Sequence, residues 1–267
     1  MNLMQSVFGT KKPIIAMCHI PALPGDPKYD YKKGMSEIVE VVQNDMSALQ
    51  EGGVDAILFS NEFSMPYKLH ADLITVAAMS RIIGEVKSKI RVPFGIDYMF
   101  DPKASIDIAT VTGANFIRGI FSGTYSSDFG LWSTDVGETI RYIYQRRLED
   151  NLVTLFSIKP QGSVYLGSRS IPEIISSLQF HVSPSAICMP AETVKELIDS
   201  GAINGLFERK SAIIVDGGCN QENIEQLFNY VDGIVIGTSL KKDGHFENAV
   251  DKQRVIEIMR IAKDVHI

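Results

Sequence analysis

Eight short apolar runs recur along the chain, and each is followed by a segment with helical spacing. The runs are Ile14–His19, Ala56–Asn61, Phe94–Asp97, Phe116–Phe121, Thr154–Ile158, Ala186–Met189, Ala212–Asp216 and Gly233–Ile236. Several are apolar at consecutive positions, as in Ile14-Ile15-Ala16-Met17 and Ala212-Ile213-Ile214-Val215. A strand with one face in water alternates polar and apolar residues. A strand buried on both faces does not, and parallel sheets covered by helices produce such strands.

The segments between the runs carry helix stripes. Ile224, Leu227, Phe228 and Val231 fall at i, i+3, i+4 and i+7, and Val255, Ile258, Met259 and Ala262 repeat that spacing. Val194, Leu197 and Ile198 give a shorter version. Gly52-Gly53, Thr112-Gly113 and Ser200-Gly201 are placed to end the first, third and sixth helices. Eight strand–helix units make either a closed barrel or an open doubly wound sheet. Eight is the number that closes a barrel, and no GxGxxG turn follows the first run. The 267 residues also match the roughly 250 such a barrel uses. The expected fold is α/β: a single (β/α)8 TIM barrel over residues 1–267 with a parallel eight-stranded core.

Composition excludes several function classes. The net charge is −6 with no Lys/Arg cluster, which argues against nucleic acid as the partner. No run of 18 or more apolar residues exists, so no membrane partner is expected. The apolar stretch near the N-terminus is too short for a signal-peptide core. Cys18, Cys188 and Cys219 are odd in number and far apart, which points away from a disulfide framework and towards a reducing cytoplasm. Assembly of several copies is compatible with the sequence.

In a barrel of this type the site is built at the C-terminal ends of the strands. Those ends are polar: Cys18-His19, Ser60-Asn61-Glu62, Asp97, Arg118, Lys159 after the fifth run, Asp216-Gly217-Gly218 and Gly237-Thr238-Ser239. His19 reads either as a general acid–base group or as a hydrogen-bonded structural residue. Glu62, Asp97 and Asp216 offer carboxylates for proton transfer, with Arg118 as the cation among them. Lys159 reads as an ordinary ion-paired lysine or, if buried, as a Schiff-base former. Cys18 reads as a small buried hydrophobe. The alternative for the whole set is a plug of salt bridges at the barrel mouth. No cofactor is predicted, and a divalent cation on these carboxylates is a secondary reading.

The loops after the seventh and eighth runs read VDGGCNQEN and VIGTSLKKDG. Such loops bind phosphate in many barrels. Gly217, Gly218 and Gly237 let backbone amides approach an anion, Thr238 and Ser239 add hydroxyls, and Lys241 or Lys242 adds charge. The plainer reading is a tight turn followed by a solvated lysine face. Two further segments look like coverings: Pro21–Tyr31, rigid with prolines, and SGTYSSDFGLWSTDVGE at 122–138. The second holds Tyr125, Asp128, Phe129 and Trp132 and reads as a water-excluding lid or a subunit contact.

AMCHIPALPGDP, GGVDAILFSNEFSMPY, GANFIRGIFSGTYSSDFG and IVIGTSLKKDGHFENAVDKQRV together resemble the BtpA/SgcQ family, most closely its SgcQ branch. The resemblance covers nearly the whole chain and implies a barrel akin to phosphate-binding barrel enzymes. The SgcQ branch implies a link to a carbohydrate phosphotransferase system, hence to sugar phosphates. The name-giving branch is associated with photosystem I biogenesis. The matching positions are His19, Pro24, Gly25, Asn61, Glu62, Arg118, Gly123, Asp128, Gly237, Thr238, Lys241, Asp251 and Arg254. Many members carry a Lys-His pair after the fifth strand; here Lys159 is followed by Pro160, so no role for that histidine transfers.

Two functions follow as expectations. The first is an enzyme acting on a phosphorylated sugar or related metabolite by proton transfer next to a carbonyl: an isomerase, epimerase or aldolase-like lyase. Its phosphate would sit on the last two loops, with Asn61 and Asp128 also binding substrate and Arg118 stabilising developing negative charge. The second is a non-catalytic assembly or regulatory factor that binds a protein partner. That reading predicts a blocked pocket and an exposed apolar patch around Phe63, Met65, Tyr67 and Trp132.

Overall fold

The computed structural model describes residues 3–160, 162–206 and 210–265. Its strands are β1 (Ile14–His19), β2 (Ala56–Ser60), β3 (Phe94–Asp97), β4 (Phe116–Gly119), β5 (Thr124–Ser127), β6 (Gly130–Ser133), β7 (Val153–Ser157), β8 (Ser163–Tyr165), β9 (Ala186–Met189), β10 (Ala212–Asp216) and β11 (Gly233–Ile236). Eight of them close a parallel barrel in the order β1-β2-β3-β4-β7-β9-β10-β11. The ring shuts where Ile14, Ile15 and Ala16 pair with Ile234, Val235 and Ile236. These are the eight apolar runs, with ends displaced by a residue or two. The fold is therefore the expected (β/α)8 barrel.

Around it lie α1 (Leu3–Phe8), α2 (Gly34–Gly52), α3 (Leu73–Val86), α4 (Pro102–Thr112), α5 (Val136–Gln145), α6 (Ile171–His181), α7 (Ala191–Asp199), α8 (Ile224–Phe228) and α9 (Lys252–Val265). Local chemistry sets their ends. The Asp101 carboxylate accepts from the Lys103 and Ala104 amides at the start of α4, which Pro102 opens. Gly53 and Gly113 close α2 and α4 in the left-handed conformation, with φ of 90° and 71°. Ser170 and Glu173 form a capping box at α6. The Ile224 stripe gives a helix of only five residues, yet Val231 is still buried beyond it. Among the described residues no helix is long and apolar enough to cross a membrane.

Strand residues alternate between two cores. Ile14, Ala16, Ile57, Phe59, Ile96, Ile117 and Phe156 face the helices and pack with Val42, Met46, Ile82, Val194 and Val255. Ile15, Leu58, Phe116, Leu155, Cys188, Ile214 and Val235 fill the barrel interior. Helix α1, which the sequence pattern did not suggest, adds Met4 and Phe8 to that interior, with the Phe8 and Phe116 rings 5.2 Å apart. Gly95 makes room for this packing, since a Cβ there would lie 2.2 Å from the Phe116 ring. Two residues further along, the inward series continues into Ser60, Asp97, Arg118, Ser157, Asp216 and Gly237, and on β1 it passes through Met17 to His19. That step turns an apolar plug into a polar floor.

The segment expected as a covering is a β-hairpin. β5 and β6 pair antiparallel around Asp128-Phe129, and β8 adds to β5 with Tyr125 opposite Tyr165. Its inner face carries buried Tyr125 and Trp132. The Pro21–Tyr31 segment is tied to the loop after β2 instead: the Asp26 carboxylate accepts from the Leu23 amide at 2.7 Å and the Ser64 hydroxyl at 2.6 Å.

Candidate functional site

Arg118 stands at the centre of the polar floor, projecting from β4. Its Nη1 lies 3.0 Å from Asp97 on β3, and its Nε lies 3.2 Å from Asp216 on β10. Both carboxylates are 4% exposed and the guanidinium 16%. Ser157, on β7, donates to Asp216 at 2.6 Å and accepts from Arg118 Nε at 3.2 Å. Glu62, just past β2, accepts from Tyr67 Oη at 3.1 Å and from Ser60 Oγ at 3.4 Å. Three carboxylates thus surround one guanidinium, an excess of negative charge on largely buried side chains.

The protonation states follow from that crowding. Burial raises Asp97 to about 7; Arg118 opposes the rise, while Glu62 and Asp216 add to it. Burial also raises Glu62 and Asp216 above the ordinary carboxylate range, again against Arg118. Arg118 stays charged, because Asp97 and Asp216 outweigh the cost of its own burial. The group therefore retains a proton near neutral pH, shared among sites that interact strongly.

His19 is different. It is 3% exposed, and neither ring nitrogen finds a hydrogen-bond partner among the described residues. Burial lowers it to about 3, with Lys241 and Arg118 adding to the effect, so the imidazole is neutral at physiological pH. Its ring lies 5.2 Å from Phe246 and 6.3 Å from Phe63. Gly237 lies against it: a Cβ at 237 would be 2.9 Å from His19 Nε2. Only glycine lets the last loop pass this close.

Two cavities meet at this floor and share Glu62, Arg118 and Asp216. One, of about 380 Å³, is lined by His19, Gly217, Gly218, Gly237, Thr238 and Ser239, with Met17, Cys219, Asn220 and Phe246. Gly217 and Gly218 take φ of 120° and 75°, open to glycine. Thr238–Leu240 forms one 3-10 turn after Gly237, and the first amides of such a turn have no acceptor within it. The other cavity, of about 250 Å³, adds Asp97 and Ser157 and is walled by Tyr67, Met99, Phe100, Ile120, Phe129, Pro160 and Pro190. A further cavity of about 420 Å³ lies at the opposite end of the barrel, beside α1, and is lined by Lys11, Lys12 and Lys210 among others. It is remote from the carboxylates, at the end of a barrel that serves stability.

Most of the expected site residues thus come together. Four do not. Lys159 ion-pairs with Glu196 at 2.9 Å on the outer surface and lines neither cavity. Its backbone is left-handed, φ 52°, which turns the chain away just after β7. Asn61 is buried and accepts from the Met99 amide at 2.7 Å, a brace between two loops. Asp128 is exposed at the hairpin turn. Lys241 is 2% exposed, with its ammonium over the Phe63 and Phe246 rings at 5.1 and 5.6 Å. Burial lowers its pKa, and Asp45 opposes that. The Ser239 hydroxyl donates to the Cys219 carbonyl, and Arg254 Nε donates to the Ser239 carbonyl at 2.9 Å. These bonds brace the last loop. Ser157 and Phe246 were not anticipated, and Tyr67, expected in an exposed patch, lines the second cavity instead. Ser157 had a signal, as the inward residue after Leu155; the other two sit in loops with none. Among the described residues, no group of three or more His, Cys, Asp or Glu side chains is arranged to hold a metal ion.

Residues 10–264 match the model of the BtpA family. The chain is 46% identical to the sgc region protein SgcQ of Escherichia coli (strain K12), covering 97% of each chain. It is 26% identical to the photosystem I biogenesis protein BtpA of Synechocystis sp., over 96% of this chain and 89% of that one. Among solved structures it is similar to phosphoribosyl anthranilate isomerase in complex with reduced 1-(O-carboxyphenylamino)-1-deoxyribulose 5-phosphate. That likeness has a TM-score of 0.55 at 12% identity, over 94% and 99% of the two chains, and concerns the fold alone. The family match runs over nearly the whole chain, and on that ground the chain belongs to the BtpA family.

Proposed function

We propose that this protein is an enzyme that binds a phosphorylated sugar or related metabolite across the barrel mouth and moves a proton next to its carbonyl. The observation that carries this reading is the shared floor: Arg118 held by Asp97 and Asp216, with Glu62 beside it, between a glycine-lined cavity and a second chamber. The phosphate lies on the loops of Gly217, Gly218 and Gly237–Ser239, where backbone amides and the Thr238 hydroxyl serve as donors. Asp97 and Glu62 hold and move the proton, since a carboxyl lifted towards neutral pH serves as both acid and base. Arg118 stabilises the charge that develops on the carbonyl oxygen. His19 contributes as a neutral imidazole and hydrogen-bond donor, not as the proton shuttle expected from its usual pKa.

The barrel neighbour that carries a deoxyribulose 5-phosphate compound is consistent with this reading through the fold. The reading as an assembly factor predicted a blocked mouth and an apolar patch containing Trp132. Trp132 is instead buried and the mouth holds two open chambers, which favours the enzyme. The test is calorimetric titration with a panel of sugar phosphates, with and without Mg2+. Binding of at least one sugar phosphate more tightly than inorganic phosphate is expected. If none does so, the proposal fails.

A further inference from the structure

The second chamber is unlike anything a short, fully hydroxylated sugar phosphate needs. A polyol presents hydroxyls on every side and is matched by hydrogen-bonding walls. Here the rings of Tyr67, Phe100 and Phe129 with Ile120, Pro160 and Pro190 line the chamber beside the charged floor. The three rings form a continuous set, with centroids 5.2 to 5.6 Å apart. Behind them the Trp132 ring stands 4.3 Å from Phe100, so the hairpin backs this wall rather than lying loose over it. Phe100 adopts a φ of 70°, a conformation that costs a bulky residue energy and is kept where the surroundings demand it. That strained turn puts the Phe100 ring into the chamber. Apolar walls with a few convergent polar groups are the usual lining for a flat, largely apolar group.

From this we infer that the substrate is bipartite: its phosphate end occupies the glycine chamber, and a planar unsaturated ring at its other end stacks in the aromatic chamber. The sugar carbons between them cross the Arg118 floor. Charge narrows the ring further. Asp97, Asp216 and Glu62 face the chamber against a single guanidinium, which disfavours a carboxylated ring and favours a neutral one with N–H donors. The inference rests on the function proposed above and extends it to a substrate class: a sugar phosphate bearing a neutral planar ring.

The experiment compares four probes on the full chain by calorimetry: inorganic phosphate, ribose 5-phosphate, a nucleoside 5′-monophosphate and the matching unphosphorylated nucleoside. Stacking on an aromatic platform is worth about tenfold or more in affinity. The monophosphate is therefore expected to bind at least about tenfold tighter than ribose 5-phosphate. Phe129→Ala, at an exposed turn position, and Phe100→Ala are expected to erase that gain while leaving ribose 5-phosphate binding in place. Trp132, the sole tryptophan, gives an independent readout: its emission should change with ring-bearing probes and not with inorganic phosphate. Equal binding of ribose 5-phosphate and the monophosphate overturns this inference and leaves the phosphate site standing. Nucleoside binding lost in Phe129→Ala, with no benefit from phosphate, supports the aromatic chamber and sinks the phosphate reading. Binding of none of the four sinks both.

Discussion

The lower and upper halves of the barrel interior are made from the same strands and do opposite things. Below, Ile15, Leu58, Phe116, Leu155 and Val235 pack with Met4 and Phe8 of α1. Above, further along the same inward series, lie His19, Asp97, Arg118, Ser157 and Asp216. The lower half spends no polar group and supplies stability. The upper half concentrates one guanidinium, three carboxylates and a neutral imidazole without a hydrogen-bond partner among the described residues, where burial shifts these titrations. A fold maintained for stability alone would gain by making the upper layer resemble the lower one. The difference marks the upper layer as the place where local stability is given up for chemistry.

The largest loss of stability is expected in the lower half. Phe116→Ala opens a void where a fully buried ring fills the space beside Gly95, and should cost about 3–5 kcal/mol. Chemical denaturation reads this loss, and the fraction that stays folded should bind ligand as before. Above, Arg118→Lys keeps the charge but cannot bridge Asp97 and Asp216 together. It should cost about 1.5–3 kcal/mol and abolish binding of the sugar phosphate, a loss Phe116→Ala does not share.

A third prediction uses pH. Asp97 rises from its ordinary 3.8 to about 7 in the folded protein. Between those values the folded state binds more protons than the unfolded chain, so the contribution of Asp97 to stability falls as pH rises. His19 drops from 6.5 to about 3; there the unfolded chain binds more protons, and stability rises with pH across that window. The two offset each other in the wild type. In Asp97→Asn the first is removed, so stability should climb more steeply with pH up to 6.5 than in the wild type. Parallel denaturation series from pH 4 to 8 decide it, and identical slopes would contradict the assigned protonation. The smallest effect is expected at Lys159→Ala. Its partner Glu196 lies on the surface, so stability should move by less than about 0.5–1 kcal/mol and ligand affinity not at all.

The parity of the strands explains how much of this was legible in the sequence. Eight apolar runs were enough for the barrel, and a count of two from each inward residue leads to His19, Asp97, Arg118, Asp216 and Gly237. The same count leads to Ser157, which the emphasis on charge passed over. It also puts Asn61 out of phase with Ser60 and Glu62, on the side that braces the Met99 amide. Lys159 is in phase with Leu155 and Ser157, but the left-handed turn at 159 ends the strand geometry before the count applies. Lys241 lies beyond a 3-10 turn, and its burial under Phe63 and Phe246 depends on contacts between distant loops. Aromatic residues such as Tyr67 and Phe100 reach the mouth by the same loop packing, which no local pattern encodes.

The proposed function depends on the glycine loops at the upper end holding the phosphate. Crystals soaked in ribose 5-phosphate test it directly, because the protein offers a second anion-attracting place: the cavity at the lower end, with Lys11, Lys12 and Lys210. Phosphate density is expected between Gly217-Gly218 and Gly237–Ser239, with the sugar carbons directed towards Arg118. Phosphate density at the lysines of the lower end, with the glycine loops empty, would contradict it.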